Sequence, residues 1–275
     1  PLGIRDMCGK MLDIAGQMFD RWDRFGPETE IDVADAMTRL TLDTLALCAF
    51  DTRFNSFYHE AMHPFVDAMV GALKEASARD RRPPFVSNMM MRTRKQFEKD
   101  IATMHGMADA LLRARRREGR IGERGDLLDS MLTGADAVTG ARLGDENIRY
   151  QLATFLIAGH ETTSGLLSFA VHLLLQHPAE LERVQTEVDA VLGNRAPSID
   201  DLASLRAVEL VLMETLRLWP TAPAFAVTPR EPTMIAGRYA VKPGDEILVL
   251  LPALHRDAAV WGADAEAFRP SRFAQ

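Results

Sequence analysis

Six consecutive residues, Ala158-Gly159-His160-Glu161-Thr162-Thr163, set a carboxylate, two hydroxyls and a glycine in the middle of a long apolar stretch. The chemistry such a set allows is proton handling beside a closely packed neighbour. A carboxyl and a hydroxyl can relay protons through water, and Gly159 lets another group approach the backbone. Thr162 follows Ala158 by four residues, so its hydroxyl can donate to the Ala158 carbonyl, which bends a helix and loosens its ladder. The same spacing puts both residues on one helical face, where a flat ligand can lie with a small molecule held in the bend. Burying an unpaired carboxylate is costly, and glycine costs roughly 1 kcal/mol against alanine in a helix interior. A sequence that accepts both penalties at one place uses that place for something. The bland alternative is a kinked core helix whose threonines satisfy their own backbone and whose Glu161 pairs with an arginine.

The element that must position these residues runs from Asn147 to about Gln176. Ile148, Leu152, Phe155, Leu156, Leu166, Phe169 and Leu173 recur there at helical spacing, and no proline intervenes before Pro178. Apolar residues continue around nearly the whole circumference, which predicts a helix buried inside a large domain. Helices are predicted over 4–25, 33–49, 62–80, 93–118, 126–133, 145–177, 178–192 and 204–218. After Pro220 the pattern changes to β-prone pieces at Ala224 to Thr228, Thr233 to Ile235 and Glu246 to Leu250. Arg81 to Thr93, with Pro83-Pro84 and Met89-Met90-Met91, separates two long helices.

Composition narrows the function class. The 275 residues suffice for one large or two small domains, and no Gly/Ser linker divides them. The longest apolar runs, such as Gly165 to Leu175, fall short of the ~20 residues a membrane span needs, and no secretory signal opens the chain. Cys8 and Cys48 show no spacing logic, which predicts no disulfide framework and a reducing cytoplasm. A net charge of −7 argues against nucleic acid. The basic run Arg113 to Arg117 reads as a solvated helix end. His160-Glu161 begins like a zinc-protease motif, but Ser164 stands where the second histidine is required. His59, His63 and His105 lie in separate segments, and no Gly-rich phosphate loop follows a strand.

With those residues set out, a resemblance emerges. The stretch Ala158 to Thr162 resembles the oxygen-binding helix of the cytochrome P450 monooxygenases: a small residue, Gly, any residue, Glu or Asp, then Thr. Met37-Thr38-Arg39-Leu40-Thr41-Leu42-Asp43-Thr44, Arg53 to Phe57, Glu146 to Gln151 and Leu216 to Phe225 are similar to segments of bacterial fatty-acid hydroxylases whose haem domain is fused to a flavin reductase. The similarity runs in order from about Leu12 to Phe273. It implies a mainly α, partial P450 fold: the central and C-proximal helical core with a few short strands.

By the same resemblance, Phe155, Ala158, Gly159, Thr162, Thr163, Thr221, Ala222 and Phe225 line the haem and the substrate pocket. Thr162 and Glu161 are the catalytic pair, one a hydroxyl on the oxygen intermediate and the other a proton relay. Arg81 to Thr93 falls on a mobile lid. Glu214-x-x-Arg217 matches the family's Glu-x-x-Arg pair, and Phe268-Arg269-Pro270-Ser271-Arg272-Phe273 resembles its Pro-Glu-Arg-Phe element, with Ser271 for the usual Glu. Together they predict a buried structural triad of Glu214, Arg217 and Arg272. Spacing alone is weak evidence, since Glu146/Arg149, Glu180/Arg183 and Glu266/Arg269 share it, and such pairs are usually surface contacts.

The implied activity is hydroxylation of long-chain fatty acids with O2, a haem cofactor and electrons from an NADPH reductase carrying FAD and FMN. A haem-thiolate enzyme needs a cysteine sulfur on iron. The family's Phe-x-x-Gly-x-Arg-x-Cys-x-Gly loop does not occur within residues 1–275, so the axial ligand is expected beyond residue 275 and no metal ligand within it. Residues 1–275 are expected to be an internal fragment of one haem domain, without its β-rich N-terminal part and inactive alone. A non-catalytic helical protein binding a hydrophobic ligand or partner is the alternative.

Overall fold

A computed structural model describes residues 2–79, 82–83 and 90–274. The helices are α1 Leu2–Phe25, α2 Val33–Phe50, α3 Pro64–Arg79, α4 Met91–Glu118, α5 Leu127–Thr133, α6 Asp145–Gln176, α7 Pro178–Leu192 and α8 Arg206–Leu218. Four short strands follow: β1 Ala224–Val227, β2 Thr233–Ile235, β3 Tyr239–Val241 and β4 Ile247–Leu250. The one-turn helices α9 Leu251–Leu254 and α10 Ala258–Trp261 and a 3₁₀ turn at Pro270–Phe273 complete the chain. β1 pairs antiparallel with β4, Phe225 facing Val249, and β2 pairs with β3, Met234 facing Ala240. The mainly α class and every predicted helix are present. Strand β3 and both one-turn helices went unpredicted, because three or four residues are too few to establish a period. The expected lid at 81–93 lies largely outside the described residues.

The chain forms two compact units, Pro1–Glu161 and Thr162–Gln275, and the boundary falls inside α6. The first unit closes around Leu42 and Phe50 of α2, Phe65 and Met69 of α3, and Ala108 of α4, with Leu152 and Leu156 of α6. Asp32 caps α2 by accepting the Asp35 N–H, and Asp126 caps α5 by accepting that of Asp129. The second unit has its own core of Ala170, Leu173, Val211, Leu218 and Phe268.

The basic run at 113–117 is not simply a solvated helix end. Arg115 is buried and bonds Asp126 at 2.9 Å, Asp129 at 2.6 Å and the Phe50 carbonyl at 3.0 Å, tying α2, α4 and α5 together. A buried guanidinium must be paired, and the two aspartates at the head of α5 supply the charge. Burial alone would raise the Asp129 carboxyl. The Arg124 amide and the Arg115 guanidinium outweigh it and hold the carboxyl below the ordinary range.

Candidate functional site

Helix α6 is an unbroken 32-residue α-helix, but it is not buried all round. Leu152, Leu156, His160 and Ser164 are buried, whereas Phe155, Ala158, Gly159, Glu161, Thr162 and Thr163 are exposed. At about 100° per residue, Phe155, Ala158 and Thr162 fall on one stripe, away from the buried one, with Gly159 at the edge between the two. Glu161 is therefore not a buried carboxylate, and the burial penalty argued from sequence does not arise. What is unusual is an apolar stripe, with Phe155 37% exposed, on a core helix and flanked by an exposed carboxylate and two exposed hydroxyls. A large ring and two residues with little or no side chain make a surface suited to a flat apolar group.

In the second unit, Thr221 comes to α6: a Cβ on Gly165 would lie 3.2 Å from the Thr221 Cγ2. Ala222 and Phe225 are both exposed, Phe225 on β1 at 50%. The unit thus holds Thr162, Thr163 and Thr221 on or against α6, with Phe225 a few residues beyond Thr221.

In the first unit, α2 packs on the glycine. A Cβ on Gly159 would lie 2.8 and 3.3 Å from the two methyls of Leu45. Two effects oppose each other on Gly159→Ala: about 1 kcal/mol of helix propensity favours alanine, and overpacking against Leu45 costs roughly 1–3 kcal/mol. We expect Gly159→Ala to be destabilising alone and stabilising by about 1 kcal/mol in a Leu45→Ala background. Denaturant midpoints across the four-member cycle check the reversal of sign; the same sign in both backgrounds would remove Leu45 as the reason for the glycine.

Histidine 160 is buried, and its Nδ1 lies 2.6 Å from the Leu156 carbonyl. A carbonyl only accepts, so Nδ1 carries the proton. Burial pushes the imidazole below its ordinary pKa, against the pull of the Leu156 carbonyl and Glu161, so the ring is neutral near pH 7. Among the described residues no group of three or more His, Cys, Asp or Glu is placed to hold a metal ion. Cys48 is buried on α2, 3.9 Å from the Met7 carbonyl, with its thiol pushed up by burial. Cys8 is half-buried on α1.

The structure brings Glu214, Arg217 and Arg272 together. Glu214 is fully buried on α8 and accepts from Arg217 Nε at 2.7 Å and Nη2 at 2.8 Å, the Arg269 N–H at 2.8 Å and Arg272 Nε at 3.2 Å. Arg217 also donates to the carbonyls of His255, Ala265 and Ala267. The other Glu-x-x-Arg spacings behave differently. Glu180 and Arg183 stand 3.8 Å apart at the surface. Arg149 turns to Asp109 and Arg269 to Asp264, while Glu266 takes Arg256.

Sequence reasoning missed a buried latch in the first unit. Asp43 is fully buried and accepts from the Ser56 N–H at 2.8 Å and hydroxyl at 2.6 Å. Burial raises its carboxyl despite both bonds. Buried Arg39 donates to the carbonyls of Ser56, Glu60 and His59 at 2.6, 2.8 and 3.0 Å. The available signal was that Met37–Thr44 and Arg53–Phe57 both carry the resemblance; nothing in either segment says that the two meet.

The described helices include none long and apolar enough to cross a membrane. A model of the cytochrome P450 family matches residues 3–275. Two Bacillus subtilis proteins named bifunctional cytochrome P450/NADPH–P450 reductase, numbers 2 and 1, are 51% and 50% identical over 263 and 270 residues. Those alignments cover 96% and 98% of this chain but 25% of each relative. A self-sufficient cytochrome P450 monooxygenase of Penicillium freii is 44% identical over 273 residues, 99% of this chain and 26% of that protein. The chain spans about a quarter of the length of the curated relatives it matches. The helical order, the stripe on α6, the buried Glu214–Arg217 pair and these matches agree, and the chain belongs to the cytochrome P450 family, whose members are haem monooxygenases.

Proposed function

We propose that this chain is the helical core of a haem domain that hydroxylates long-chain fatty acids, with O2 and with electrons from an NADPH reductase bearing FAD and FMN. One observation carries the reading: the exposed stripe of Phe155, Ala158 and Thr162, beside Glu161, in the middle of a helix whose Leu152, Leu156 and His160 are buried. The stripe fits a haem, being flat, apolar and free of bulky side chains between Phe155 and Thr162. Thr221, Ala222 and Phe225 add further apolar surface in the second unit. A haem held there would supply activation of O2 and insertion of one oxygen atom into a C–H bond. The residues of this chain do the rest. Phe155, Ala158 and Phe225 bind apolar surface and exclude water, Gly159 lets Leu45 of α2 pack directly on the helix beside them, and Thr162 and Thr163 present hydroxyls. Glu161 takes up and releases protons through water.

Cys8 on α1 is half-buried and Cys48 on α2 is buried, and neither belongs to the family's ligand loop, so residues 1–275 alone are inactive in this proposal. The names of the relatives, which pair a P450 with an NADPH–P450 reductase, support the electron source.

The test uses the haem-loaded full-length protein. Saturated fatty acids of increasing length are added under NADPH, and products are read by mass spectrometry. Hydroxylated fatty acid formed in step with NADPH oxidation is the expected result. Hydroxylation of some other substrate class, with fatty acids untouched, removes the substrate assignment. Binding without turnover favours a non-catalytic protein that holds a hydrophobic ligand.

A further inference from the structure

Several carbonyls of α6 accept side-chain donors beyond the helical ladder, from Thr154, His160, Ser168 and His177 one turn on, but at His160 the donor comes from a different helix. The Thr41 hydroxyl on α2 lies 3.0 Å from the His160 carbonyl oxygen, and the His160 ring lies 2.6 Å from the Leu156 carbonyl. Thr41 is buried, and Leu45, one turn along α2, packs on Gly159. The Thr41 proton also has Met37 O at 2.9 Å and Thr38 O at 3.3 Å within reach on its own helix.

Leu156, His160 and Ser164 form the buried stripe of α6, roughly 150° around the helix from the exposed one. An extra donor tilts a helical carbonyl outward and lengthens its rung, and a helix with longer rungs along one side curves away from that side. The exposed stripe is then the concave one.

We propose that Thr41 is a positioning residue for the exposed stripe of α6: by donating to the His160 carbonyl it holds the buried rung to Ser164 open and keeps the Ala158–Thr162 face concave. The inference rests on the monooxygenase reading for its catalytic consequence and on geometry alone for its structural one. It departs from the simpler expectation that Thr162 bends the helix by itself.

The test replaces Thr41 in the haem-loaded full-length protein with Val, which keeps the shape, and with Ser, which keeps the hydroxyl. Residue-resolved amide exchange reads the structure. Without the competing hydroxyl the Ser164 N–H regains its full bond, so its exchange slows about fivefold in Thr41→Val, an effect of the size of one net hydrogen bond. Product formed per NADPH oxidised falls severalfold in the same variant, and Thr41→Ser restores both. Unchanged Ser164 exchange in Thr41→Val overturns the proposal. So does uniformly faster exchange with unchanged coupling, the signature of a hydroxyl that serves only its own helix. If Thr162→Ala leaves coupling untouched, the catalytic reading of the stripe fails, while Ser164 exchange still decides the role of Thr41.

Discussion

On the proposed function, replacing Thr162 with alanine in the haem-loaded full-length protein is expected to leave folding and substrate binding intact while uncoupling electron consumption from product. Thr162 is exposed on the stripe, so its removal opens no core cavity. Its γ-oxygen is the hydroxyl adjacent to Glu161 on the exposed side of α6, where protons from solvent must arrive. A positioned proton donor or acceptor contributes about 10²–10⁴-fold to a step. We therefore expect product per NADPH oxidised to fall roughly tenfold or more, with the missing equivalents recovered as hydrogen peroxide.

Ser164→Ala is the control. Ser164 lies about 200° around the helix from Thr162 and is buried. Its loss should cost about 1 kcal/mol of stability and leave coupling alone. Equal coupling in the two variants would take the catalytic role from Thr162 and leave it as a helix residue with no chemistry.

The second large effect concerns stability. Glu214→Gln should cost about 3 kcal/mol or more, because a buried carboxylate is replaced where two guanidiniums converge. Oε1 accepts from Arg217, the Arg269 N–H and Arg272, while Oε2 accepts from Arg217 alone. A glutamine side chain has one oxygen, and its NH2 must point at an arginine donor whichever way it turns. Arg217 keeps its three carbonyl acceptors, but they supply no negative charge. For a chain of this size the loss corresponds to a melting point lower by roughly 6–12 °C, with a matching fall in soluble haem-loaded yield. Glu180→Gln, at an exposed pair 3.8 Å apart, should change either by little. Wild-type melting in Glu214→Gln would mean that the charge on Glu214 does not hold α8 to the Pro270–Phe273 turn.

Local signals of the sequence were enough for the long helices, because an apolar period of 3.6 sustained over four or more turns has no competing explanation. They also marked Gly159 to Thr163 as anomalous, since glycine, a charge and hydroxyls break that period. Motif spacing singled out Glu214 and Arg217 only with help from their apolar neighbours, and it could not say that Arg149 and Arg269 would turn to Asp109 and Asp264 instead.

Tertiary structure decided which side of α6 is bare. Periodicity cannot separate a helix buried all round from one that leaves an apolar stripe open, because both read as apolar on every face. It decided as well that Arg115 is a core residue: the charge is visible in sequence, whereas Asp126 and Asp129 become its partners only when α5 folds back onto α4. Thr41 is the clearest case. Its hydroxyl and the His160 carbonyl are 119 residues apart along the chain, and a backbone carbonyl leaves no mark on the sequence that could reveal what will bind it.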